Sequence, residues 1–135
     1  MTDSDSAKLA VARAMVQAWN AMDWEASFQL FAEDGVLHSM MIEPIVGRDA
    51  VRRRILALVE GLEWIELRVN AMGVIDGRVF FERLDVFRYK GRDCAVPVVG
   101  IMDIDGGKVR LWREYYDRGD LLRQMGLAAF EPGTH

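Results

Sequence analysis

Cysteine and histidine are scarce in this sequence, and each scarcity excludes a class of protein. The single Cys94 rules out an internal disulfide bond and is typical of a reducing compartment. The two histidines, His38 and His135, lack the spacing of a metal motif, so we expect no metal site. No apolar run of about 18 residues and no leader-like start are present, which favours a soluble, cytoplasmic protein with no membrane partner.

Negatively charged residues outnumber positively charged ones. Asp and Glu number 21 against 17 Lys and Arg, which gives a formal charge of -4 and an isoelectric point near 5.2. The short basic run Arg52-Arg53-Arg54 falls in a helical pattern and is typical of a solvated helix face. This balance argues against a nucleic-acid partner. No Gly-x-Ser-x-Gly motif is present, and Cys94 is interpreted as a small buried residue.

Apolar residues make up 51% of the chain, enough for one core, and 135 residues leave no room for a second. We therefore expect a single domain over residues 1–135, with flexible ends at 1–6 and 130–135. Apolar spacing predicts helices at residues 7–22, 24–32, 47–60 and 118–126. Alternation and turn signals predict strands at residues 36–41, 63–72, 78–89, 93–104 and 108–116.

This order of elements predicts an α+β fold, with three to four helices packed on a strongly curved, mainly antiparallel sheet. Such a sheet would enclose a cavity on its concave side. Pro97 lies within a predicted strand, which indicates an edge position or a bulge there.

The strand at residues 78–89 carries the first sign of a functional site. Strand side chains alternate between faces, so six residues share one face: Val79, Phe81, Arg83, Asp85, Phe87 and Tyr89. That face is apolar except for Arg83 and Asp85, and charges in an apolar face are costly unless they are paired. Two interpretations stay open: a structural ion pair in the core, or two groups that face a pocket.

A later stretch joins this one in a family resemblance. The matching residues are Glu82-Arg83, Asp85-Val86, Gly100, Trp112-Arg113, Tyr115, Asp117, and Pro44 with Gly47-Arg48-Asp49-Ala50-Val51. Over about residues 8–126 the chain resembles the limonene-1,2-epoxide hydrolase family, of the nuclear-transport-factor-2-like (SnoaL-like) superfamily. The resemblance implies a cone-shaped fold, no cofactor and a homodimer formed through the outer sheet face.

The resemblance also implies roles. Asp117 would be the general base that activates water, Asp85 the general acid, and Arg83 the group that bridges them. Two carboxylates and one guanidinium in a dry pocket favour the uptake of one proton, so one acid is neutral and the other charged. That arrangement suits one-step hydrolysis of a strained epoxide to a vicinal diol.

The first strand departs from the family. There the resemblance implies an inward Tyr and Asn that help to hold the water, whereas this sequence has Leu37 and Ser39. Ser39 can hydrogen-bond a water and Leu37 cannot. Alternation would turn His38 outward, but a shift of one residue would bring it into the pocket instead.

Three functions follow. The first is epoxide hydrolysis of an apolar small molecule. The second keeps the cone and uses an acid to move a proton on a ketone, as in ketosteroid isomerases or polyketide cyclases. The third is a non-catalytic module that binds small ligands.

Overall fold

The computed structural model describes residues 3–127. Its helices are α1 (Asp5–Asn20), α2 (Trp24–Gln29), α3 (Arg48–Leu58) and α4 (Arg118–Met125). Its strands are β1 (Phe31–Ser39), β2 (Ile45–Val46), β3 (Leu62–Ile75), β4 (Arg78–Tyr89), β5 (Arg92–Asp105) and β6 (Lys108–Tyr116). The strands form one six-stranded sheet in the order β2-β1-β6-β5-β4-β3.

The predicted α+β class and the mainly antiparallel sheet are confirmed. Strands β3 to β6 form consecutive hairpins, and only the β1–β6 pair is parallel among the pairs of the described sheet. The hairpin turns lie between the predicted strands. At Asp76-Gly77 and Lys90-Gly91 both residues have positive φ, as tight hairpin turns that follow the twist of the strands require.

The four helices cover one face of the sheet and bury its apolar side chains. Met15 of α1 and Val51 and Ile55 of α3 are fully buried against the sheet residues Phe81 and Trp112. Helix α4 forms a second apolar cluster, in which Leu122 and Met125 pack with side chains of β4 and β5. None of the helices within residues 3–127 is long and apolar enough to cross a membrane.

The predicted second helix is too long, and the first strand begins earlier than predicted. Helix α2 ends at Gln29 and β1 starts at Phe31, so residues 31 and 32 are extended. The spacing of Phe28 and Phe31 fits a helical stripe, yet Phe31 is buried beside Trp112 with ring centroids 6.2 Å apart. Pairing with β6 therefore determines where β1 begins, and this pairing cannot be inferred from the local spacing of apolar residues.

At the amino-terminal end, α1 begins two residues before its predicted start. Ser4 caps it by accepting a hydrogen bond from the Ala7 amide at 3.1 Å. Residues 4–6 therefore belong to the capped helix rather than to a flexible end. Residues 1–2 and the predicted tail at 130–135 lie outside the described residues.

Pro97 occupies a local edge, as predicted. Strand β5 pairs with β6 only from Val98 onward, so Pro97 has the strand neighbour β4 alone, opposite Leu84. The missing amide hydrogen of a proline is tolerated where one side of the strand has no partner strand. No register shift occurs there in the β4–β5 pair.

Candidate active site

Arg83 is the centre of a buried cluster of three charged side chains. Its Nε and Nη2 donate to the two carboxylate oxygens of Asp85, at 2.7 and 3.1 Å. Its Nη1 donates to Glu114 Oε2 at 3.0 Å, and its Nη2 also contacts Glu114 Oε1. The Arg83 side chain is 3% exposed, against 16% for Asp85 and 12% for Glu114. One guanidinium thus joins two carboxylates.

Three neighbouring strands bring this cluster together. Arg83 and Asp85 lie on the inward face of β4, and Glu114 lies on β6, with β5 between them. Gly100 of β5 is the residue that separates them, because it pairs with Phe81 on one side and Glu114 on the other. A Cβ atom at Gly100 would lie 2.7 Å from Arg83 Nη1 and 2.8 Å from Glu114 Oε2. The bridge therefore requires a residue without a side chain at this position.

Aromatic rings also surround the guanidinium. Its central carbon lies 5.0 Å from the centre of the Phe81 ring and 5.8 Å from that of Trp112. Such contacts favour a positive charge that has been taken out of water. They also leave the guanidinium little freedom to move away from its two carboxylates.

Burial and charge set the protonation of the cluster. Burial raises the pKa of Glu114, and the negative charge of Asp85 raises it further, while Arg83 lowers it; the net direction is upward. Burial alone would lower the pKa of Arg83, but Glu114 and Asp85 outweigh it and hold the pKa well above its ordinary value. Arg83 therefore remains charged, and Glu114 accepts a proton more readily than an ordinary carboxyl group.

The cluster lies in the wall of an apolar cavity of about 160 Å³. Its polar lining consists of Ser39, Arg83, Asp85, Glu114 and Tyr116. The apolar lining comes from the helices and the inner sheet face: Trp19, Leu37, Leu58, Val59, Leu62, Ile65, Leu67, Phe87, Val96, Val98, Trp112, Leu121 and Met125, with the ring of Tyr89. The cavity thus suits a mostly apolar molecule with one polar group that contacts the charged cluster. Within residues 3–127 no group of three His, Cys, Asp or Glu side chains is placed to hold a metal ion.

The structure does not place Asp117 in this cluster. Asp117 is exposed and precedes α4, where its Oδ1 accepts a hydrogen bond from the Asp120 amide at 3.0 Å. It is the N-cap of that helix, and it is absent from the cavity lining. The predicted placement of Asp117 beside Arg83 is therefore corrected: Glu114 occupies that position.

Alternation explains the error and could have prevented it. Trp112, Glu114 and Tyr116 share the inward face of β6 and line the cavity, and the same period turns Tyr115 and Asp117 away. The same rule places Arg83 and Asp85 on the inward face of β4, and on β6 it selects Glu114 rather than Asp117. Glu114 and Tyr116 are thus the two site residues that the sequence analysis missed.

The three residues predicted on the first strand are placed as alternation requires. Leu37 and Ser39 line the cavity, and Ser39 is paired with Glu114 in the parallel β1–β6 register. His38 points elsewhere, and its Nε2 lies 3.0 Å from the carbonyl oxygen of Ile42. The shifted register that would bring His38 inward is not observed.

Tyr116 adds a second hydroxyl next to Ser39. Its phenol donates to Ser39 Oγ at 3.1 Å. Burial raises the pKa of Tyr116, so the phenol stays neutral and able to donate a hydrogen bond. The polar side of the cavity thus contains one guanidinium, two carboxylates and two hydroxyls.

The fold and the site first define a class, a nuclear-transport-factor-2-like cone with an acid pair inside it. A putative polyketide cyclase from Xanthomonas campestris is similar in structure, with a TM-score of 0.81 at 19% identity over 90% of this chain and 98% of that one. A nuclear-transport-factor-2-like protein from Anabaena variabilis matches with a TM-score of 0.74 at 21% identity, over 87% and 94% of the two chains. At such identities these likenesses establish the fold alone.

The sequence narrows the class to a family. The model of the limonene-1,2-epoxide hydrolase catalytic domain matches residues 6–126, so the chain belongs to that family. Epoxide hydrolase EphG of Mycobacterium tuberculosis is 27% identical over 103 residues, which cover 71% of this chain and 69% of that protein. The structure of a limonene-epoxide-hydrolase-like epoxide hydrolase from M. tuberculosis matches with a TM-score of 0.77 at 21% identity, over 90% of each chain.

Proposed function

We propose that this protein is an epoxide hydrolase that adds water to an apolar epoxide in one step and releases a vicinal diol. The observation that carries the proposal is the pair of buried carboxylates, Asp85 and Glu114, joined by Arg83 at the wall of an apolar cavity. Membership of the epoxide hydrolase family and the similarity to EphG support it.

The reaction needs one acid and one base, and the geometry favours a role for each. Glu114 is the base, because its strand neighbour Ser39 offers a hydroxyl that can hold a water beside it. Asp85, on the other side of Arg83, is the acid. Arg83 keeps both carboxylates in place and compensates the negative charge of the pair. This assignment keeps Asp85 and Arg83 in their predicted roles and moves the base from Asp117 to Glu114.

The atoms balance without a covalent intermediate. The water oxygen attacks one epoxide carbon while the bond from that carbon to the epoxide oxygen breaks. Asp85 gives its proton to the leaving oxygen, and Glu114 takes a proton from the water. The cluster ends with its shared proton on Glu114 and returns to the starting form when that proton moves back to Asp85. Proton transfer of this kind typically contributes about 10²–10⁴-fold to a rate.

The cavity indicates the size of substrate. An apolar cavity of about 150 Å³ holds benzene in a well-studied protein, and the cavity here has a volume of about 160 Å³. We therefore expect apolar epoxides built on a single small ring or a short chain, including cyclic terpenoid-like ones. Strongly charged epoxides would lose their hydration against an apolar wall and should be poor substrates.

The test is direct. Purified protein is incubated with a panel of cyclic and open-chain apolar epoxides, and diol is measured by gas chromatography with mass spectrometry. A single turnover in heavy-oxygen water should place the label in the diol on the first cycle. Unlabelled diol, with the label in a protein carboxylate, would indicate an ester intermediate and contradict the one-step reaction.

A second function uses the same acids on a ketone. Leu37 gives the first strand an apolar side chain in the cavity, which reduces the polar contacts open to a water. An acid pair without a well-held water could still move a proton next to a carbonyl group. Deuterium exchange into a cyclic ketone, without diol from any epoxide, would favour this function. Ligand binding without either reaction would favour a non-catalytic module.

The same proposal includes a homodimer formed through the outer sheet face. The exposed side of β5 and β6 carries Val99 and Tyr115, paired across the two strands, which are 37% and 43% exposed. Sedimentation analysis should give twice the mass of the chain. Replacing Val99 by Arg should shift the protein toward monomer, because a charge would have to be buried in the contact.

A further inference from the structure

Two hydroxyl groups share one side of the cavity with the carboxylate of Glu114. Ser39 of β1 stands opposite Glu114 in the strand register, and Tyr116 follows Glu114 by two positions on the same face of β6. All three line the cavity, and the Tyr116 phenol donates to Ser39 Oγ at 3.1 Å. Three polar groups from two adjacent strands thus converge in surroundings that are otherwise apolar.

The hydrogen-bonding capacity of these groups fits one water molecule. The phenol of Tyr116 uses its hydrogen on Ser39 and keeps its oxygen lone pairs as acceptors. Ser39 accepts that hydrogen and keeps its own hydroxyl hydrogen as a donor. A water between them could donate one hydrogen to Glu114 and one to Tyr116, and accept the hydrogen of Ser39. Its remaining lone pair is then available for a substrate carbon.

We infer that Tyr116 and Ser39 together bind and orient the nucleophilic water. The inference rests on the proposed epoxide hydrolysis and deepens it. A water with three fixed partners has a defined direction of attack, and orientation supplies a large part of the rate of such reactions. The side chain of Leu37 on β1 cannot hydrogen-bond the water. Tyr116 on β6 supplies a third polar partner in addition to Glu114 and Ser39.

The hydroxyl of Tyr116 can be removed while its ring is kept. Tyr116→Phe should lower kcat by about 10- to 100-fold, because the water loses one of its three partners. KM should change little, since the apolar substrate makes its contacts with the ring and the other walls. Tyr115→Phe is the matched control: that phenol lies on the outer face of the same strand and is 43% exposed. It should keep the wild-type kcat.

Variants at Ser39 separate water binding from a structural role. Ser39→Ala should lower kcat in the same way, whereas Ser39→Thr keeps the hydroxyl and should restore most of the rate. The double variant of Tyr116→Phe and Ser39→Ala should lose less than the product of the two single losses, because both act on one water. Thermal unfolding of each variant confirms that it is folded; if Ser39→Ala does not fold, Tyr116→Phe decides alone.

The outcomes are distinct. If wild-type protein forms diol and Tyr116→Phe is as active as Tyr115→Phe, the inference is overturned while the proposed function stands. A raised KM with unchanged kcat would show that the phenol binds substrate, and it overturns the inference as well. If wild-type protein forms no diol from any epoxide of the panel, the proposed function fails and the inference fails with it.

Discussion

At the scale of single residues, the site depends on the different environments of chemically similar carboxylates. Glu114 is 12% exposed and bonded to Arg83, whereas Asp117, three residues later, is exposed and caps a helix. Burial raises the pKa of Glu114 beside a guanidinium that stays charged. A carboxyl group whose pKa moves toward neutrality is a more effective proton acceptor near neutral pH than an ordinary one.

The raised pKa of Glu114 predicts a pH dependence of stability. The folded protein binds the Glu114 proton more tightly than the unfolded chain, in which the ordinary value is 4.5. The resulting stabilisation is fully present below pH 4.5 and is lost as the pH rises through the folded-state pKa. We therefore expect the free energy of unfolding of the wild type, relative to Glu114→Gln, to decrease with rising pH above 4.5, by at most about 1.4 kcal/mol per pH unit.

Urea unfolding at a series of pH values measures this difference. Glu66→Gln, which removes a carboxylate of a half-exposed side chain on β3, is the control and should show no such trend. A difference between wild type and Glu114→Gln that grows as the pH rises would mean that folding favours the charged form of Glu114, contrary to the burial argument.

At the scale of the elements, the site depends on close spacing of three strands. Strand β5 crosses between Arg83 and Glu114, and Gly100 is its residue at the crossing. We predict that Gly100→Ala displaces the Arg83–Glu114 bridge and lowers diol formation by at least about tenfold, because the added methyl would overlap both side chains. The steric overlap should also lower thermal stability.

A second glycine provides the control. Nothing lies within 4 Å of a Cβ built at Gly73 of β3, and its φ is not positive, so Gly73→Ala should leave both activity and stability close to wild type. Equal activity of the Gly100 and Gly73 variants would show that the bridge between Arg83 and Glu114 is not needed for the reaction.

The elements also show what sequence patterns could and could not predict. The bounds of β4 and β6 agree with the predicted strands, because turn signals flank both strands. The parallel pairing of β1 with β6 could not be predicted, since it joins segments about 75 residues apart through contacts that no local pattern contains. The local pattern places Phe31 in a helix, and its position in β1 depends on the same pairing with β6.

At the scale of the whole molecule, the cone creates a site from strands that are distant in the chain. The inward faces of β1, β4 and β6 meet around one cavity, and the helices cover it. The inward position of Arg83 and Asp85 was predictable, because alternation places two charges on one apolar face of a single strand. Alternation along β6 also predicts the inward position of Glu114 and Tyr116. The contact of Tyr116 with Ser39 depends on the pairing of β1 with β6 and could not be predicted from local sequence.

The central claim is that Asp85 and Glu114 act as the acid and base of one reaction, and removal of each charge tests it most directly. The initial rate of diol formation should be measured for Asp85→Asn, Glu114→Gln and Asp117→Asn on the best epoxide of the panel. Asn is as good an N-cap as Asp, so the third variant should fold normally. We expect a loss of at least about 10²-fold for the first two variants and a rate near wild type for the third. Near-wild-type activity of folded Glu114→Gln, or loss of activity in folded Asp117→Asn, would contradict it.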